Sequence, residues 1–212
     1  MNVPNLIARI LVTFLACYFL GNHNGAISVS LMLGDDVRSH GSGNAGLTNF
    51  IRNYGSSRAI LVFLIDTGKA AFACMAAGLI LEPYGLGLEG RIIGGVLVML
   101  GHDFPALLGF KGGKGILTGW FIAFTVDWRV GAFIGVVFFV VYFSTRLVSL
   151  ASVLSAVAFS VGFAIFHLNN PIVMVGAFFM SALTLFQHRM NIVRLFKGEE
   201  KKVHLFRSHK NK

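Results

Sequence analysis

Residues 90–126 read GRIIGGVLVMLGHDFPALLGFKGGKGILTGWFIAFTV, and their pattern sets the architecture of the chain. An apolar run long enough to cross a membrane leads into the polar loop Phe110-Lys111-Gly112-Gly113-Lys114-Gly115, and a second apolar run follows at once. Glycines let consecutive backbone N–H groups turn toward an anion, and the two lysines supply positive charge. The pattern predicts membrane helices on both sides of a phosphate-binding loop.

The composition of the whole chain indicates the same class. Of the 212 residues, 55% are hydrophobic and 13% are charged, and the mean hydropathy is +0.73. Because water-soluble domains are not built from such a composition, we predict an all-α, polytopic membrane helix bundle. The apolar runs, which give about seven crossings, cover residues 5–21, 59–80, 90–109, 115–126, 130–144, 149–167 and 171–187.

Two of these runs have more than one interpretation. The first continues past Gly21-Asn22-His23-Asn24-Gly25 without a cleavage site, so we predict one crossing that bends or tilts and not a signal peptide. Residues 115–144 form either one long span or two short ones interrupted at Asp127-Trp128-Arg129. We prefer two spans, because this choice leaves every glycine-rich or basic loop on one side.

Lysine and arginine are distributed unequally between the two sides of the predicted bundle. Fourteen lie on the side of the polar loops and the C-terminus, against Arg9, Arg91 and Arg129 on the other. The positive-inside rule therefore predicts a cytoplasmic C-terminus and an N-terminus outside. The net charge of +9 then reflects topology and anionic lipid headgroups, since no nucleic-acid-binding module is present. Cys17 and Cys74 lie in apolar runs and indicate neither a disulfide nor a metal site.

The first polar segment, residues 36–52, is rich in hydroxyl, amide and guanidinium groups. Its Gly41-x-Gly43-x-x-Gly46 spells the dinucleotide fingerprint, but no strand precedes it and Asp66, where the fingerprint needs its acidic residue, falls inside a span. We reject that interpretation. The segment is either a solvated turn or a recognition site for a small anionic substrate.

The second polar segment, residues 110–115, is not a Walker A loop, because Gly115 and not Ser or Thr follows Lys114. Its glycines and lysines, with the N-terminus of the next helix, suit a phosphoryl group. In the third segment, residues 187–201, His188, Asn191 and Arg194 recur every three residues and share a helix face. An interfacial basic helix on anionic lipid is the alternative for this third segment.

Two polar pairs lie inside predicted spans, where ionisable groups are costly and usually functional. Asp66 and Lys69 share one helix face, and His102 and Asp103 lie on the next long span at a similar depth. We expect the pairs to meet behind the polar segments. An ion pair that only locks the bundle is the alternative for Asp66 and Lys69.

Together these segments resemble the acyl-phosphate:glycerol-3-phosphate acyltransferase family of bacteria, the integral membrane enzymes called PlsY. The resemblance extends over most of the chain. Gly41-Ser42-Gly43-Asn44-x-Gly46-x-Thr48-Asn49 is similar to the first family motif, and Gly101-His102-x-x-Pro105 with residues 110–115 to the second. His188-Arg189-x-Asn191-Ile192-x-Arg194-Leu195 with Gly198-x-Glu200 is similar to the third. The chain departs from the family pattern at Asn22-His23-Asn24, Ala70 and Leu117.

The resemblance implies transfer of a fatty acyl group from acyl phosphate to the sn-1 hydroxyl of glycerol 3-phosphate, without cofactor or metal, at the cytoplasmic face of the bacterial inner membrane. The partners implied are acyl phosphate, glycerol 3-phosphate, membrane lipid and the acyl-phosphate-forming enzyme. Residues 1–197 would form one transmembrane acyltransferase domain and residues 198–212 a basic cytoplasmic tail. The catalytic residues implied are Ser42, His188 and Asn191. The substrate-binding residues implied are Arg38, Gly43, Asn44, Thr48, Asn49, Arg52, Lys69, His102, Lys111, Gly112, Gly113, Lys114, Gly115 and Arg194.

Several questions of mechanism stay open on the sequence alone. The general base is His188, His102 or an oxygen of the donor's own phosphate. Direct attack by the acceptor hydroxyl is preferred to an acyl-enzyme on Ser42, because no His or carboxylate is fixed beside that serine by spacing. A membrane transporter of a phosphorylated solute is the alternative function, although the chain shows no inverted repeat.

Overall fold

The chain folds into α-helices, which confirms the predicted all-α class. A computed structural model describes residues 3–203, and that range contains no β-strand. Its α-helices are α1 (Val3–Asn22), α2 (Gly25–Met32), α3 (Leu47–Tyr54), α4 (Ser56–Leu81), α5 (Gly87–Asp103), α6 (Ile116–Val126), α7 (Trp128–Thr145), α8 (Val148–His167), α9 (Pro171–Gln187) and α10 (Arg189–Phe196).

Fewer helices have membrane-spanning length than the seven apolar runs predict. In the described part of the chain, α1, α4, α5, α7 and α8 are long and apolar enough to cross a membrane. The bent pair α9 and α10, which meet at 59°, makes a sixth if it counts as one crossing. The remaining run, 115–126, forms α6, which has only 11 residues because it begins after the glycine loop and ends before Asp127.

The helices α6 and α7 fold back on each other as a hairpin. Trp120 Nε1 donates to the Gly131 carbonyl at 2.8 Å, and the rings of Trp120 and Phe139 lie 5.8 Å apart. Those two rings would be about 28 Å apart along one straight helix. The turn is at Asp127, whose backbone is extended and whose carboxylate accepts the Arg129 N–H at 2.9 Å. The chain thus does not form one long span here, as predicted, but of the two predicted short spans only α7 has spanning length.

The first apolar run divides into two helices. Helix α1 ends at Asn22, and α2 begins at Gly25 with Asn24 as its N-cap, which accepts the Ile27 N–H at 3.0 Å. Helix α1 alone has spanning length, and α2 packs against α4 and α3. The predicted single bent crossing is thus corrected to a span followed by a separate short helix, because an amide side chain at the break caps a new helix.

Small residues allow α1, α4 and α5 to approach one another closely. A Cβ atom added at Gly94 would collide with the backbone carbonyl of Ala73 on α4, and one at Gly101 with that of Tyr18 on α1. Such close packing is a main source of helix association in lipid, where apolar contact alone gives little preference. It fixes the end of α5, which carries His102.

Polar contacts close the end of the bundle opposite the three polar segments. The Asp127 carboxylate lies 2.8 Å from His167 Nε2 and is paired with Arg129, which ties the α6–α7 turn to the end of α8. Asn170 Nδ2 donates to Glu89 Oε1 at 2.7 Å and ties α9 to α5. The polar segments themselves meet at the other end, where the candidate site lies.

Candidate active site

Asn49 organises the first polar segment. Its Nδ2 atom donates to three backbone carbonyls at 3.0–3.1 Å, those of Val37, His40 and Asn44. Its Oδ1 atom accepts the Ser42 N–H at 3.1 Å. Asn49 thus has a structural role in this loop, whose backbone uses both ends of its amide, and its substrate-binding role stays a prediction.

Several other predicted residues of the first segment are available to a ligand. Gly43 has a φ of 70° and lies in an exposed turn. Among the predicted residues of this segment, the side chains of Ser42, Asn44, Thr48 and Arg52 have no hydrogen bond to residues 3–203, and Ser42 and Arg52 are exposed. The first segment therefore presents a hydroxyl pair, an amide and a guanidinium on a loop held by Asn49.

Backbone carbonyls and one arginine join the first and second segments. Arg38 Nη1 donates to the Leu108 carbonyl at 2.9 Å, and the Ala45 N–H donates to the Gly112 carbonyl at 3.4 Å. Arg38 is also paired with Asp36 at 2.7 Å. Arg38 thus links the two loops, and its substrate-binding role stays a prediction.

The second segment folds back onto the end of α5. The Gly112 N–H donates to the Asp103 carbonyl at 3.2 Å, and the Gly113 N–H donates to the His102 carbonyl at 3.0 Å. The prediction that these two amides face an anion is wrong, because the last carbonyls of a helix lack partners within it and accept them instead. Gly113 is needed for space, since a Cβ there would collide with the His102 ring.

The free amides of the second segment lie one residue further on. Gly115 has a φ of 71° and starts α6 without a side-chain cap. The N–H groups of Lys114 and Gly115 have no acceptor within residues 3–203. An uncapped helix N-terminus beside an ammonium group is suited to an anion. Within the second segment, Lys114, Gly115 and the start of α6 are therefore the groups free to bind an anion, and phosphate binding there stays a prediction. Lys111 is exposed.

A series of polar contacts joins the second segment to the third. Lys114 Nζ donates to Asn191 Oδ1 at 2.5 Å, and Asn191 Nδ2 donates to Glu200 Oε1 at 3.0 Å. Arg194 Nε donates to Glu200 Oε2 at 2.7 Å, so Asn191 and Arg194 share a face of α10, as the spacing predicts. Burial would raise the pKa of Glu200, but the hydrogen bonds from Arg194 and Asn191 outweigh it and lower that pKa.

His188 lies at the bend between α9 and α10 and is only 5% exposed. Its Nδ1 atom lies 2.9 Å from the Thr184 carbonyl. Because a carbonyl only accepts hydrogen bonds, Nδ1 carries the proton of the neutral ring and Nε2 carries the lone pair. Nε2 of His188 is therefore the nitrogen that can take a proton.

A buried polar cluster lies behind the second segment. Lys69 Nζ is 2.8 Å from Asp66 Oδ1, 2.8 Å from His102 Nδ1 and 2.8 Å from the His23 carbonyl. The predicted meeting of the two intramembrane pairs is confirmed. The side chain of Lys69 is 3% exposed and these groups use its ammonium, so its direct contact with substrate stays a prediction.

The segment after α10 lies across the ends of α7 and α8. The Val203 N–H donates to the Arg146 carbonyl at 3.0 Å, and the Tyr142 hydroxyl donates to the Val203 carbonyl at 3.2 Å. The first residues of the predicted tail are thus held against the helix bundle. Its remaining residues, 204–212, lie outside the described part of the chain.

Three residues that shape the site were not among those predicted from the sequence. Asn24 donates to the Ala45 carbonyl at 3.0 Å, Thr184 orients His188, and Glu200 orients Asn191. A feature of the sequence could have identified each of them. Asn24 interrupts an apolar run, Thr184 precedes His188 by one helical turn, and Glu200 falls in the third motif. Within residues 3–203, no three His, Cys, Asp or Glu side chains are placed to hold a metal ion.

A family model described as glycerol-3-phosphate acyltransferase matches residues 11–198. The chain belongs to this family. The glycerol-3-phosphate acyltransferase of Parasynechococcus marenigrum (strain WH8102) is 34% identical over 202 residues, which cover 95% of this chain and 92% of that protein. The glycerol-3-phosphate acyltransferase of Thermoanaerobacter sp. (strain X514) is 35% identical over 193 residues, with 91% and 94% covered.

Two crystal structures of PlsY, described as an integral membrane glycerol 3-phosphate acyltransferase, share this fold. The glycerol 3-phosphate form has a TM-score of 0.82 and 30% identity, covering 93% of this chain and 99% of that one. The lysophosphatidic acid form has a TM-score of 0.79 and 29% identity, covering 92% and 96%. The resemblance to the PlsY family is confirmed, and the chain is a multi-pass membrane protein.

Proposed function

We propose that the chain transfers a fatty acyl group from acyl phosphate to the sn-1 hydroxyl of glycerol 3-phosphate, giving lysophosphatidic acid and inorganic phosphate for phospholipid biosynthesis. The observation that carries the proposal is the meeting of three polar segments at one end of an apolar bundle. Ala45 contacts Gly112, and Lys114 contacts Asn191. Membership of the family supports the same reaction.

Two adjoining features suit acyl phosphate as the donor. Lys114 and the uncapped start of α6 offer charge and N–H donors to its phosphoryl group. A small crevice between α6, α7, α8 and α9 borders Gly115, and we place the start of the acyl chain there, with the rest of the chain in the lipid. The crevice is lined mainly by apolar side chains, among them Ile116, Trp120, Phe159 and Met180. An amphiphilic donor needs both features side by side.

We assign glycerol 3-phosphate to the first segment, with Ser42, Thr48 and Arg52 as the groups that contact it. Its hydroxyl oxygen attacks the acyl carbon, and the bond from that carbon to the phosphate oxygen breaks, so the electron pair leaves with the phosphate. The hydroxyl proton goes to His188 Nε2 or to a phosphate oxygen of the donor. Asn191 and His188 orient the hydroxyl. An acyl-enzyme is unnecessary, since acyl phosphate is already activated.

We place the polar end of the bundle in the cytoplasm of a bacterium and the bundle in its inner membrane. The support is the distribution of Lys and Arg, with fourteen on the side of the polar segments and three on the other. Both phosphorylated substrates would then arrive from the cytoplasm, the donor from an acyl-phosphate-forming enzyme.

The test supplies glycerol 3-phosphate with acyl phosphate, acyl-CoA or acyl carrier protein in separate reactions of the purified protein in detergent. We expect lysophosphatidic acid and inorganic phosphate in equal amounts from acyl phosphate alone. Formation of lysophosphatidic acid only from acyl-CoA would overturn the donor assignment. No product from any donor would overturn the function and favour the transporter.

A further inference from the structure

The hydrogen-bond partners of His102 fix which of its ring nitrogens carries a proton. Its Nδ1 atom faces Lys69 Nζ at 2.8 Å and Asn24 Nδ2 at 3.4 Å. An ammonium group only donates, and the Asn24 amide is oriented with nitrogen toward the ring because its oxygen accepts the Ile27 N–H. With two donors at Nδ1, the neutral ring holds its hydrogen on Nε2.

The Lys69 ammonium is itself held in place by a carboxylate. Asp66 Oδ1 lies 2.8 Å from Lys69 Nζ and 3.6 Å from His102 Nδ1, so the ammonium stands between the carboxylate and the ring. Asp66 also accepts the Gly25 N–H at 3.1 Å. The side chains of Asp66, Lys69 and His102 are 2%, 3% and 5% exposed, so solvent does not compete for these bonds.

The Nε2–H of His102 has no acceptor within residues 3–203. It lies against Gly113, where an added Cβ would collide with it, and Gly113 is followed directly by the free amides of Lys114 and Gly115. His102 Nε2 is not among the fully enclosed side-chain atoms that lack a partner, so it borders space that water or a ligand can enter. The unpaired N–H therefore adjoins the predicted phosphate site.

We propose that His102 Nε2–H donates a hydrogen bond to the phosphoryl group of the acyl donor, and that Asp66 and Lys69 are positioning residues that fix this tautomer. The inference deepens the proposed function and rests on it. His102 then contributes no base, because its lone pair at Nδ1 faces an ammonium group. Its hydrogen bond strengthens as the electron pair moves onto the departing phosphate, and its proton stays on Nε2.

The first test compares three variants of the full chain. In His102→Gln the amide nitrogen reaches the position of Nε2, in His102→Asn it reaches only that of Nδ1, and His102→Ala has neither. We expect the KM for acyl phosphate and the inhibition constant of inorganic phosphate to rise about 10- to 100-fold in the Asn and Ala variants, as for a lost hydrogen bond to a charged group. The Gln variant should recover most of the loss.

The same kinetics show which of the two phosphorylated substrates His102 binds and whether His102 acts as a base. The KM for glycerol 3-phosphate and the shape of the pH–rate profile should stay as in the wild type. Loss of the acidic limb in His102→Asn would make His102 a base and overturn the proposal. A rise in the KM for glycerol 3-phosphate alone, or a Gln variant as impaired as Ala, would overturn it as well.

The second test does not depend on turnover, and its first measurement needs only the wild-type protein. Nitrogen NMR of the protein labelled at its histidines should show His102 as the neutral Nε2–H tautomer, and Lys69→Met should mix its tautomers. A wild-type ring protonated on Nδ1 would overturn the proposal. If wild-type protein fails to use acyl phosphate, the proposed function is wrong. The binding of a phosphoryl group by Nε2–H is then tested by phosphorus NMR, in which wild type should broaden the line of inorganic phosphate more than His102→Asn does.

Discussion

Lys114 Nζ lies 2.5 Å from Asn191 Oδ1, which joins two polar segments that are 77 residues apart in the sequence. Burial lowers the pKa of Lys114, and the nearby charge of Arg194 lowers it further. An anion bound at the start of α6 would offset both effects, because it adds negative charge near the ammonium to that of Glu200. The contact therefore holds Lys114 ready for a phosphoryl group while Asn191 fixes its direction.

Lys114→Met should lower kcat/KM for acyl phosphate about 10- to 100-fold, because one charge-assisted hydrogen bond to the phosphoryl group is lost. Lys114→Arg should retain part of the activity, since it keeps the charge but not the compact shape. The matched control is Lys197→Met, which removes an exposed cation that follows α10. Steady-state kinetics with each substrate varied in turn make the comparison. Unchanged kinetics in Lys114→Met would contradict this site.

His188→Gln should flatten the acidic limb of the pH–rate profile. The Thr184 carbonyl holds the Nδ1 proton of His188, which leaves Nε2 free to accept the hydroxyl proton. Thr184→Val tests little here, because the partner is a backbone carbonyl. The measurement is kcat as a function of pH at saturating substrates. An acidic limb that persists in His188→Gln would assign the proton to the donor's own phosphate.

Gly113→Ala should abolish most of the turnover, because its methyl group would collide with His102 Nε2 and push the ring away from the second segment. Gly68→Ala is the matched control, since a Cβ there has nothing within 4 Å and the position is exposed on α4. Helix propensity makes this control neutral or stabilising by up to about 1 kcal/mol. Kinetics and thermal unfolding in detergent measure both variants. Wild-type kinetics in Gly113→Ala would show that the ring has room to shift.

The bundle could be predicted from the sequence because hydropathy is a property of each residue and its run length. The groups that stay free for a ligand could not be predicted, because they depend on where the helices end. Gly112 and Gly113 have the right residue type for an anion nest, yet the carbonyls that end α5 take their amides. Asn49 has the right chemistry for a substrate, yet its own loop uses it. The periodicity of Asn191 and Arg194 did predict their shared face, because a helix fixes it.

Labelling of engineered cysteines should place the polar segments in the cytoplasm. Ser57 is exposed at the start of α4, near the polar segments, and Trp128 has a side chain 67% exposed at the opposite end of the bundle. Each is replaced by Cys in a separate variant. The native Cys17 and Cys74 are 4% and 0% exposed, so they give little background. A maleimide that does not cross membranes should label Trp128→Cys in intact spheroplasts and Ser57→Cys only after lysis. The reverse pattern would place the candidate site outside and exclude a donor made in the cytoplasm.

Glu200→Gln should reduce the thermal stability of the protein in a pH-dependent way. The lowered pKa of Glu200 means that its carboxylate contributes stability above its ordinary pKa of 4.5, and that this contribution is lost as the pH falls through the lowered value. Its partner Arg194 has a side chain 40% exposed, so we expect about 1 kcal/mol or less, which corresponds to a few degrees in Tm.

The Tm difference between wild type and Glu200→Gln should therefore be largest near neutral pH and shrink in acid. Glu199→Gln is the control, because Glu199 is exposed and its side chain has no hydrogen bond to residues 3–203. Activity at neutral pH should fall with stability in Glu200→Gln, since glutamine has one oxygen acceptor in place of the two that Asn191 and Arg194 use. A Tm difference that is the same in acid and at neutral pH would show that the carboxylate charge of Glu200 does not hold the third segment.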